Sequence, residues 1–195
     1  MNARNQASSA AGDTKTWRGT AAVWDCNSER SLCFSRRELE WPMECTIRPA
    51  LEDDAAHISA VIVRALRETN AKDYPNEVIE RIVRGFSPDA VRQLIGQRTV
   101  FVATIRSRIV GTASLDGSVV RTVFVAPHVQ ARGIGKLLMA EIERTARERN
   151  IPSLTLSSSI TAETFYAGLG FRAARDSYHG DERTIVMERL LDGSS

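Results

Sequence analysis

A glycine-containing segment between a predicted strand and a predicted helix has the residue types of an anion-binding loop: Gln130-Ala131-Arg132-Gly133-Ile134-Gly135. Backbone N–H groups in the first turn of a helix have no intrahelical acceptor, and the helix dipole adds about half a positive charge there. Gly133 and Gly135 lack the Cβ atoms that would hold a phosphate away. Arg132 and Lys136 could add positive charge at the rim. The segment therefore predicts a site for a phosphorylated ligand.

The spacing of these glycines excludes two common phosphate loops. A dinucleotide-binding fingerprint would need a third glycine where Leu138 stands. A P-loop would need a longer glycine spacing that ends in Gly-Lys-Ser or Gly-Lys-Thr. A tight turn that binds no ligand remains open as the structural alternative for Gly133 and Gly135.

The rest of the sequence gives little indication of a covalent nucleophile or of a metal site. No Ser-His-Asp or Cys-His arrangement is apparent, which argues against a covalent nucleophile. Cys26, Cys33 and Cys45 lack the paired short spacing of a zinc site, and no histidine lies near them. We therefore expect free thiols and no bound metal.

Hydrophobic periodicity predicts three helices ahead of the first sheet region. A short strand at Thr46–Arg48 precedes a helix with Asp53 or Asp54 as its N-cap, and shorter helices begin after Pro75 and after Ser87-Pro88. The first of these helices has apolar residues at helical spacing: Ala55, Ile58, Val61, Ile62, Ala65 and Leu66.

A change to β-branched residues then predicts three antiparallel strands. Thr99–Ile105 and Ile109–Leu115 form a hairpin, the Asp116-Gly117 turn follows, and Val119–Val125 is the third strand, which Pro127 terminates. The rest of the chain alternates between helix and strand. We predict a helix from the glycine loop to about Arg149, a buried strand at Leu154–Leu156, a helix at Thr161–Leu169 closed by Gly170, and closing strands at Phe171–Ala173 and Thr184–Leu190 joined near Gly180.

These elements predict an α+β fold with a mixed, mostly antiparallel central sheet flanked by helices and one strand-helix-strand crossover. At 195 residues, the chain has room for one domain of ordinary size, which we place at residues 43–195. Residues 1–42 lack sustained periodicity and are predicted to be a tail of uncertain order, with Met43 as a hypothetical biological start.

The composition is that of a soluble globular protein, with 43% hydrophobic and 26% charged residues. A formal net charge of +2 without a clustered basic face argues against a nucleic-acid or membrane partner. No apolar run is long enough to cross a bilayer, and the N-terminus has no secretory signal, so we expect a cytoplasmic protein.

Two segments give the chain a resemblance to the GNAT superfamily of N-acetyltransferases. Val125-Ala126-Pro127 and the glycine loop resemble the family's Val-x-Pro and Gln/Arg-x-x-Gly-x-Gly/Ala motifs, and 161–171 resembles its later helix ending in Tyr-x-x-Leu-Gly-Phe. The resemblance covers Thr46 to Leu190. It implies that acetyl-CoA places its pyrophosphate on the loop amides and its pantetheine arm along the preceding strand. The implied cofactor-binding residues are Val123, Phe124, Val125, Gln130, Ala131, Arg132, Gly133, Ile134, Gly135, Lys136 and Ser159.

The resemblance also implies direct attack of an acceptor amine on the thioester. Tyr166 matches the family's general acid, with packing in the core as the alternative role, and an N–H near Val125 would stabilise the oxyanion. Many relatives place a glutamate in the strand before the loop, but Val119–Val125 has only Arg121 and Thr122 as polar residues. Candidate bases are therefore Asp116, His128 or a water chain.

The predicted function is transfer of an acetyl group from acetyl-CoA to a small-molecule or peptide amine. The alternative is a non-catalytic domain of the same fold that senses acyl-CoA or binds a protein. Pairing of two copies through the last strands is compatible with the resemblance.

Overall fold

In a computed structural model, residues 15–16, 45–179 and 182–191 are described. Their strands are β1 (Lys15–Thr16), β2 (Cys45–Pro49), β3 (Thr99–Ile105), β4 (Arg108–Asp116), β5 (Val119–Val125), β6 (Ser153–Ser158), β7 (Arg172–His179) and β8 (Glu182–Leu190). The helices are α1 (Ala55–Glu68), α2 (Asn76–Arg84), α3 (Pro88–Gln97), α4 (Ile134–Glu148) and α5 (Glu163–Ala167).

Within these ranges the eight strands form one sheet in the order β1-β2-β3-β4-β5-β6-β8-β7. Every neighbouring pair is antiparallel except β5 with β6, which are parallel and connected by α4. A parallel pair needs such a crossover, because a tight turn can join only antiparallel neighbours. The predicted α+β fold with one crossover is confirmed.

The core has a layer on each side of the sheet. Side chains alternate along a strand, so Phe101 and Ala103 pack in one cluster with α4, while Val100 and Val102 pack in the other with α1, α2 and α3. All six apolar residues that predicted α1 are buried. None of the described helices combines the length and the apolar character that crossing a bilayer requires.

The predicted N-cap of α1 is only partly right. Asp54 directly precedes α1 but caps none of its amides. Its carboxylate instead accepts bonds from the Arg48 guanidinium at 2.6 and 2.9 Å and from the Leu51 N–H at 2.8 Å. The hydrogen bond from Arg48 holds the pKa of Asp54 below its usual value. Asp54 therefore fixes the end of β2 against the start of α1.

Several element boundaries differ from those predicted, and β7 (Arg172–His179) runs well beyond the predicted Phe171–Ala173. The β3–β4 turn consists of Arg106 and Ser107 alone, both with positive φ (49° and 64°), because a two-residue turn of that conformation matches the strand twist. Asp116 belongs to β4, and the helix predicted at 161–169 forms only at Glu163–Ala167.

Most of the N-terminal segment falls outside the described residues, including Cys26, Cys33 and Met43, and so does the turn predicted at Gly180. Lys15–Thr16 is the exception. It pairs antiparallel with Thr46 and Ile47 as an edge strand, which the sequence pattern had not indicated.

Candidate active site

A gap between β5 and β6 lies at the centre of the sheet. The two strands are paired only at Val119 with Thr155 and Val120 with Leu156. Beyond Val120, β5 stays paired with β4 and β6 with β8, but no pair joins β5 to β6. The carboxyl half of β5 therefore presents an unpaired edge to the gap.

A β-bulge in β5 marks the point where the strands separate. Thr122 and Val123 together face the single residue Ala113 of β4, and Thr122 has a φ of 49°, which is uncommon for a threonine. The Thr122 hydroxyl is 2.7 Å from the hydroxyl of Ser114. This contact across the pair holds the bulge in place.

Strand alternation sets the direction of the β5 amides. The Ala126 N–H donates to the Val110 carbonyl at 2.8 Å, and Gly111 is opposite Val125. Because bonded and non-bonded pairs alternate in an antiparallel ladder, the Val125 N–H points away from β4 and into the gap. This is the donor that the sequence predicted for an oxyanion.

The predicted loop connects β5 to α4. Gly133 directly precedes the helix with a left-handed φ of 78°, which glycine adopts at little cost. The first bond of the helix runs from the Leu137 N–H to the Gly133 carbonyl at 3.1 Å. The amides of Ile134, Gly135 and Lys136 precede that bond, so they are left as donors at the positive end of α4.

The second glycine has a packing role in addition to the one predicted. A Cβ on Gly135 would come within 3.0 Å of the Phe165 ring, whereas a Cβ on Gly133 would meet no atom within 4 Å. Gly135 therefore permits close packing of α4 against α5, and Gly133 permits the turn. The expectation that both glycines also clear space for a phosphate stays a prediction.

The Gln130 side chain stabilises the loop through two hydrogen bonds. Its Nε2 donates to the Val125 carbonyl and to the Thr69 hydroxyl, both at 3.0 Å. The Gln130 N–H is occupied by the Pro127 carbonyl at 3.3 Å. The amides available to an anion therefore belong to the residues after Gln130.

A cavity of about 800 Å³ joins the gap to the loop. Its lining includes Tyr166 and all the predicted cofactor-binding residues except Arg132: Val123, Phe124, Val125, Gln130, Ala131, Gly133, Ile134, Gly135, Lys136 and Ser159. The structure thus brings together two sequence segments that are about thirty residues apart in the chain.

Ser159 lies on the β6 side of this cavity. Its hydroxyl oxygen accepts the Ala162 N–H at 3.3 Å, which starts the turn into α5. Its hydroxyl proton is not used in that bond, so one donor remains for a ligand.

Tyr166 is almost completely buried between two aromatic rings. The Phe165 and Phe171 ring centroids lie 5.0 and 6.0 Å from its own, both in edge-to-face geometry. Burial raises the pKa of the Tyr166 hydroxyl well above its usual value, so the phenol is protonated at neutral pH. No described residue hydrogen-bonds to this hydroxyl, although the residue lines the cavity.

Neither of the candidate bases named from the sequence lines the cavity. Asp116 pairs with Arg121 at 3.1 Å and with Arg98 at 3.6 Å, and His128 is exposed. The carboxylate that does line it, alone among the described residues, is Asp73. It lies in a polar connection between α1 and α2 that has no periodic pattern, so the sequence contained no signal for it.

The segment 69–74 lines the cavity and is fixed at three points. Thr69 accepts the bond from Gln130, Asp73 accepts bonds from the hydroxyl and the N–H of Thr161, and the Tyr74 hydroxyl donates to a backbone oxygen of β8 at 2.9 Å. The three partners lie in the glycine loop, the β6–α5 connection and β8. This segment therefore forms one wall of the cavity.

Comparisons with known proteins agree with this geometry. Residues 70–187 match the model of a family described as acetyltransferase (GNAT) domain. The uncharacterized N-acetyltransferase YafP of Escherichia coli (strain K12) is 25% identical over 129 residues, which cover 66% of this chain and 82% of that protein.

Solved structures share the fold. A GCN5-related N-acetyltransferase from Rhodopseudomonas palustris is 26% identical, with a TM-score of 0.70 over 74% of this chain and 94% of the other. The PaiA N-acetyltransferase from Thermoplasma acidophilum, solved in complex with coenzyme A, is 21% identical, with a TM-score of 0.67 over 76% and 99%.

Proposed function

Because the chain belongs to the GNAT family of acetyltransferases, we propose that it transfers the acetyl group of acetyl-CoA to a primary amine. The observation that carries this proposal is the cavity in which the unpaired edge of β5 meets the first turn of α4. The edge of β5 can hydrogen-bond to an extended ligand chain, and the first turn of α4 can bind an anionic group of the same ligand. Acetyl-CoA has both parts, and the PaiA neighbour was solved with coenzyme A.

In this proposal the diphosphate binds at the amides of the loop that follows Gln130 and of the first turn of α4. Helix N-termini bind phosphates through unpaired N–H groups and the helix dipole. The Lys136 ammonium adds charge at the same place. The pantetheine arm runs along Val123–Val125, where it replaces the missing β6 partner and receives the Ser159 hydroxyl on its other side.

The reaction is a direct transfer. The neutral amine attacks the thioester carbonyl, so that a C–N bond forms and the C–S bond breaks. The Val125 N–H donates to the oxygen on which negative charge develops. The sulfur leaves as a thiolate and takes a proton from the Tyr166 hydroxyl, while the nitrogen loses one.

Tyr166 suits this role because burial favours its neutral form. Its hydroxyl is an available donor in the cavity, and its ring is held by Phe165 and Phe171. A phenol that only filled space would gain nothing from its oxygen, since phenylalanine would pack equally well there.

Asp73 is the group we assign to the proton that the acceptor must lose. Amines are mostly ammonium ions at neutral pH, and attack requires the neutral form. A carboxylate that lines the cavity can pair with the ammonium and accept its proton, directly or through water. Its bonds from Thr161 hold it on the same side of the cavity as α5.

A non-catalytic acyl-CoA sensor is the second candidate. The absence of any acidic residue in Val119–Val125 favours it, since that strand is where many members of the family carry a glutamate. A sensor would bind acetyl-CoA without consuming it, so turnover separates the two candidates.

The experiment is release of CoA thiol from acetyl-CoA with a panel of primary amines. The enzyme proposal predicts amine-dependent turnover that Tyr166→Phe lowers by about a hundredfold or more, as expected for loss of a general acid, with acetyl-CoA binding retained. Tight binding of acetyl-CoA with no turnover across the panel would contradict the proposal and favour the sensor.

A further inference from the structure

Two arginines and one aspartate cluster at the end of the cavity that lies away from the glycine loop. Arg98 precedes β3 and Arg121 lies in the first half of β5, and both line the cavity. Each pairs with Asp116, the last residue of β4, at 3.6 and 3.1 Å respectively. Asp116 itself is not part of the lining.

This cluster has an excess of positive charge. Two guanidinium groups share one carboxylate, which leaves a net charge of +1 facing the cavity. The Arg121 Nε donates a hydrogen bond to Asp116 at 3.1 Å, whereas the Arg98 guanidinium makes no hydrogen bond to any described residue. The Arg98 side chain is only 20% exposed. Guanidinium groups present several fixed N–H donors that match a carboxylate, so the cluster is equipped for an anion.

The position of the cluster separates it from the proposed diphosphate site. Val125 is the fourth residue after Arg121 in β5, a span on the order of 13 Å at about 3.3 Å per residue. The glycine loop begins beyond Val125. The thioester, whose oxygen would face the Val125 N–H, would lie between the two positively charged ends. An anion at Arg98 and Arg121 would therefore belong to the acceptor rather than to the cofactor.

We propose that Arg98 and Arg121 bind a carboxylate of the acceptor, which makes the acceptor an amino acid or a short peptide. This inference rests on the proposed function. The ammonium group of such an acceptor can pair with the carboxylate of Asp73, which lies in the segment 69–74 and lines the same cavity. The apolar side chains of Leu66, Ile82 and Phe86 line the space available to its remaining atoms.

The probe for this site is a set of reaction products, N-acetylated glycine, alanine and leucine, each compared with its C-terminal amide. Calorimetric titration with and without saturating CoA measures binding without requiring turnover. We expect each acid to bind about tenfold more tightly than its amide, because the amide removes the charge that the guanidinium groups recognise.

Substitutions assign this preference to the cluster. Arg98→Gln and Arg121→Gln should each reduce the preference for the acid to about twofold or less, since a neutral amide cannot pair with a carboxylate. Asp116→Asn should increase it, because both guanidinium groups lose their competing carboxylate. Arg108→Gln is the matched control, since Arg108 is exposed and does not line the cavity. A cluster that served only as a surface ion pair would give a lower melting temperature in Asp116→Asn and no gain in acid preference.

Equal binding of acids and amides by the wild type, or binding of neither, would overturn the inference. The inference would also be overturned by an Arg98→Gln variant that melts at the wild-type temperature and keeps the wild-type preference for acids. Turnover of uncharged amines combined with such a result would leave the acetyltransferase proposal standing and remove only the carboxylate site. If the protein did not bind CoA but still preferred acids in its absence, the acetyltransferase proposal would be removed and the carboxylate site would stand.

Discussion

The hydroxyl of Tyr166 is the single atom on which the proposed proton donation depends. The sequence motif identifies Tyr166, but only the structure shows that the rings of Phe165 and Phe171 pack against the Tyr166 ring. Tyr166→Phe keeps both ring contacts and removes only the oxygen. We expect the melting temperature to change little and the affinity for acetyl-CoA to stay within about twofold, because a hydroxyl without a protein partner contributes little to stability. Loss of acetyl-CoA affinity together with stability would indicate a structural role instead.

Burial of Tyr166 also makes stability depend on pH. The folded-state pKa lies above the ordinary value of about 10, so the unfolded chain loses its proton first as the pH rises. The contribution of Tyr166 to the free energy of unfolding is therefore fully present below pH about 10. It falls above that pH, by at most about 1.4 kcal/mol per pH unit. Urea titrations between pH 8 and about 11 should show this loss in the wild type and less of it in Tyr166→Phe. Parallel curves for the two proteins would show that Tyr166 is not the group responsible.

Asp73 can be separated from its structural contact by two substitutions. Asp73→Asn keeps an oxygen for the Thr161 hydroxyl but removes the charge, whereas Thr161→Val removes that bond and keeps the charge. We expect kcat/KM for amines to fall by about tenfold or more in the first and by less than about threefold in the second, since general bases contribute on that scale or above. Equal losses in both variants would make Asp73 a structural residue. Asp89→Asn, on the exposed surface of α3, controls for the loss of a carboxylate.

At the scale of elements, Gly135 shows what a motif does not reveal. The loop pattern predicts this glycine, but only the folded chain shows that it packs against Phe165, thirty positions later in the sequence, and so brings α4 against α5. The bulge at Thr122 was equally hidden, because a β-branched residue with positive φ runs against local preference. In contrast, the long helices follow from the regular spacing of their apolar residues, and β3 and β5 follow from their runs of β-branched residues.

Gly135→Ala should therefore destabilise the protein by about 1–3 kcal/mol, the usual cost of overpacking a core. A Cβ at 3.0 Å from the Phe165 ring requires that ring to shift by about a few tenths of an ångström, and because Phe165 lines the cavity, acetyl-CoA affinity should fall as well. Gly96→Ala is the matched control, since Gly96 lies in α3 with no atom within 4 Å of the added carbon. It should raise the free energy of unfolding by about 0.5–1 kcal/mol. Similar changes in the two variants, measured by chemical denaturation, would contradict this account of Gly135.

At the scale of the whole molecule, three separate regions of the chain meet around one cavity. The loop after β5 and the segment near Tyr166 were predicted to meet, because both carry motifs of the same family. The wall formed by 69–74 was not predicted, since its contacts with Gln130, Thr161 and β8 depend on side chains far apart in sequence. The sequence therefore indicates the cofactor half of the site better than the acceptor half.

In the proposed function, this cavity binds acetyl-CoA through its diphosphate and its pantetheine arm together. Calorimetric titration of the wild type with CoA, and with pantetheine as the fragment without the diphosphate, measures the contribution of each part. We predict saturable binding of CoA at micromolar concentration and binding of pantetheine that is weaker by at least about tenfold, because the amides of α4 are then left without an anion. No binding of CoA by the folded protein, or equal binding of the two compounds, would contradict the account.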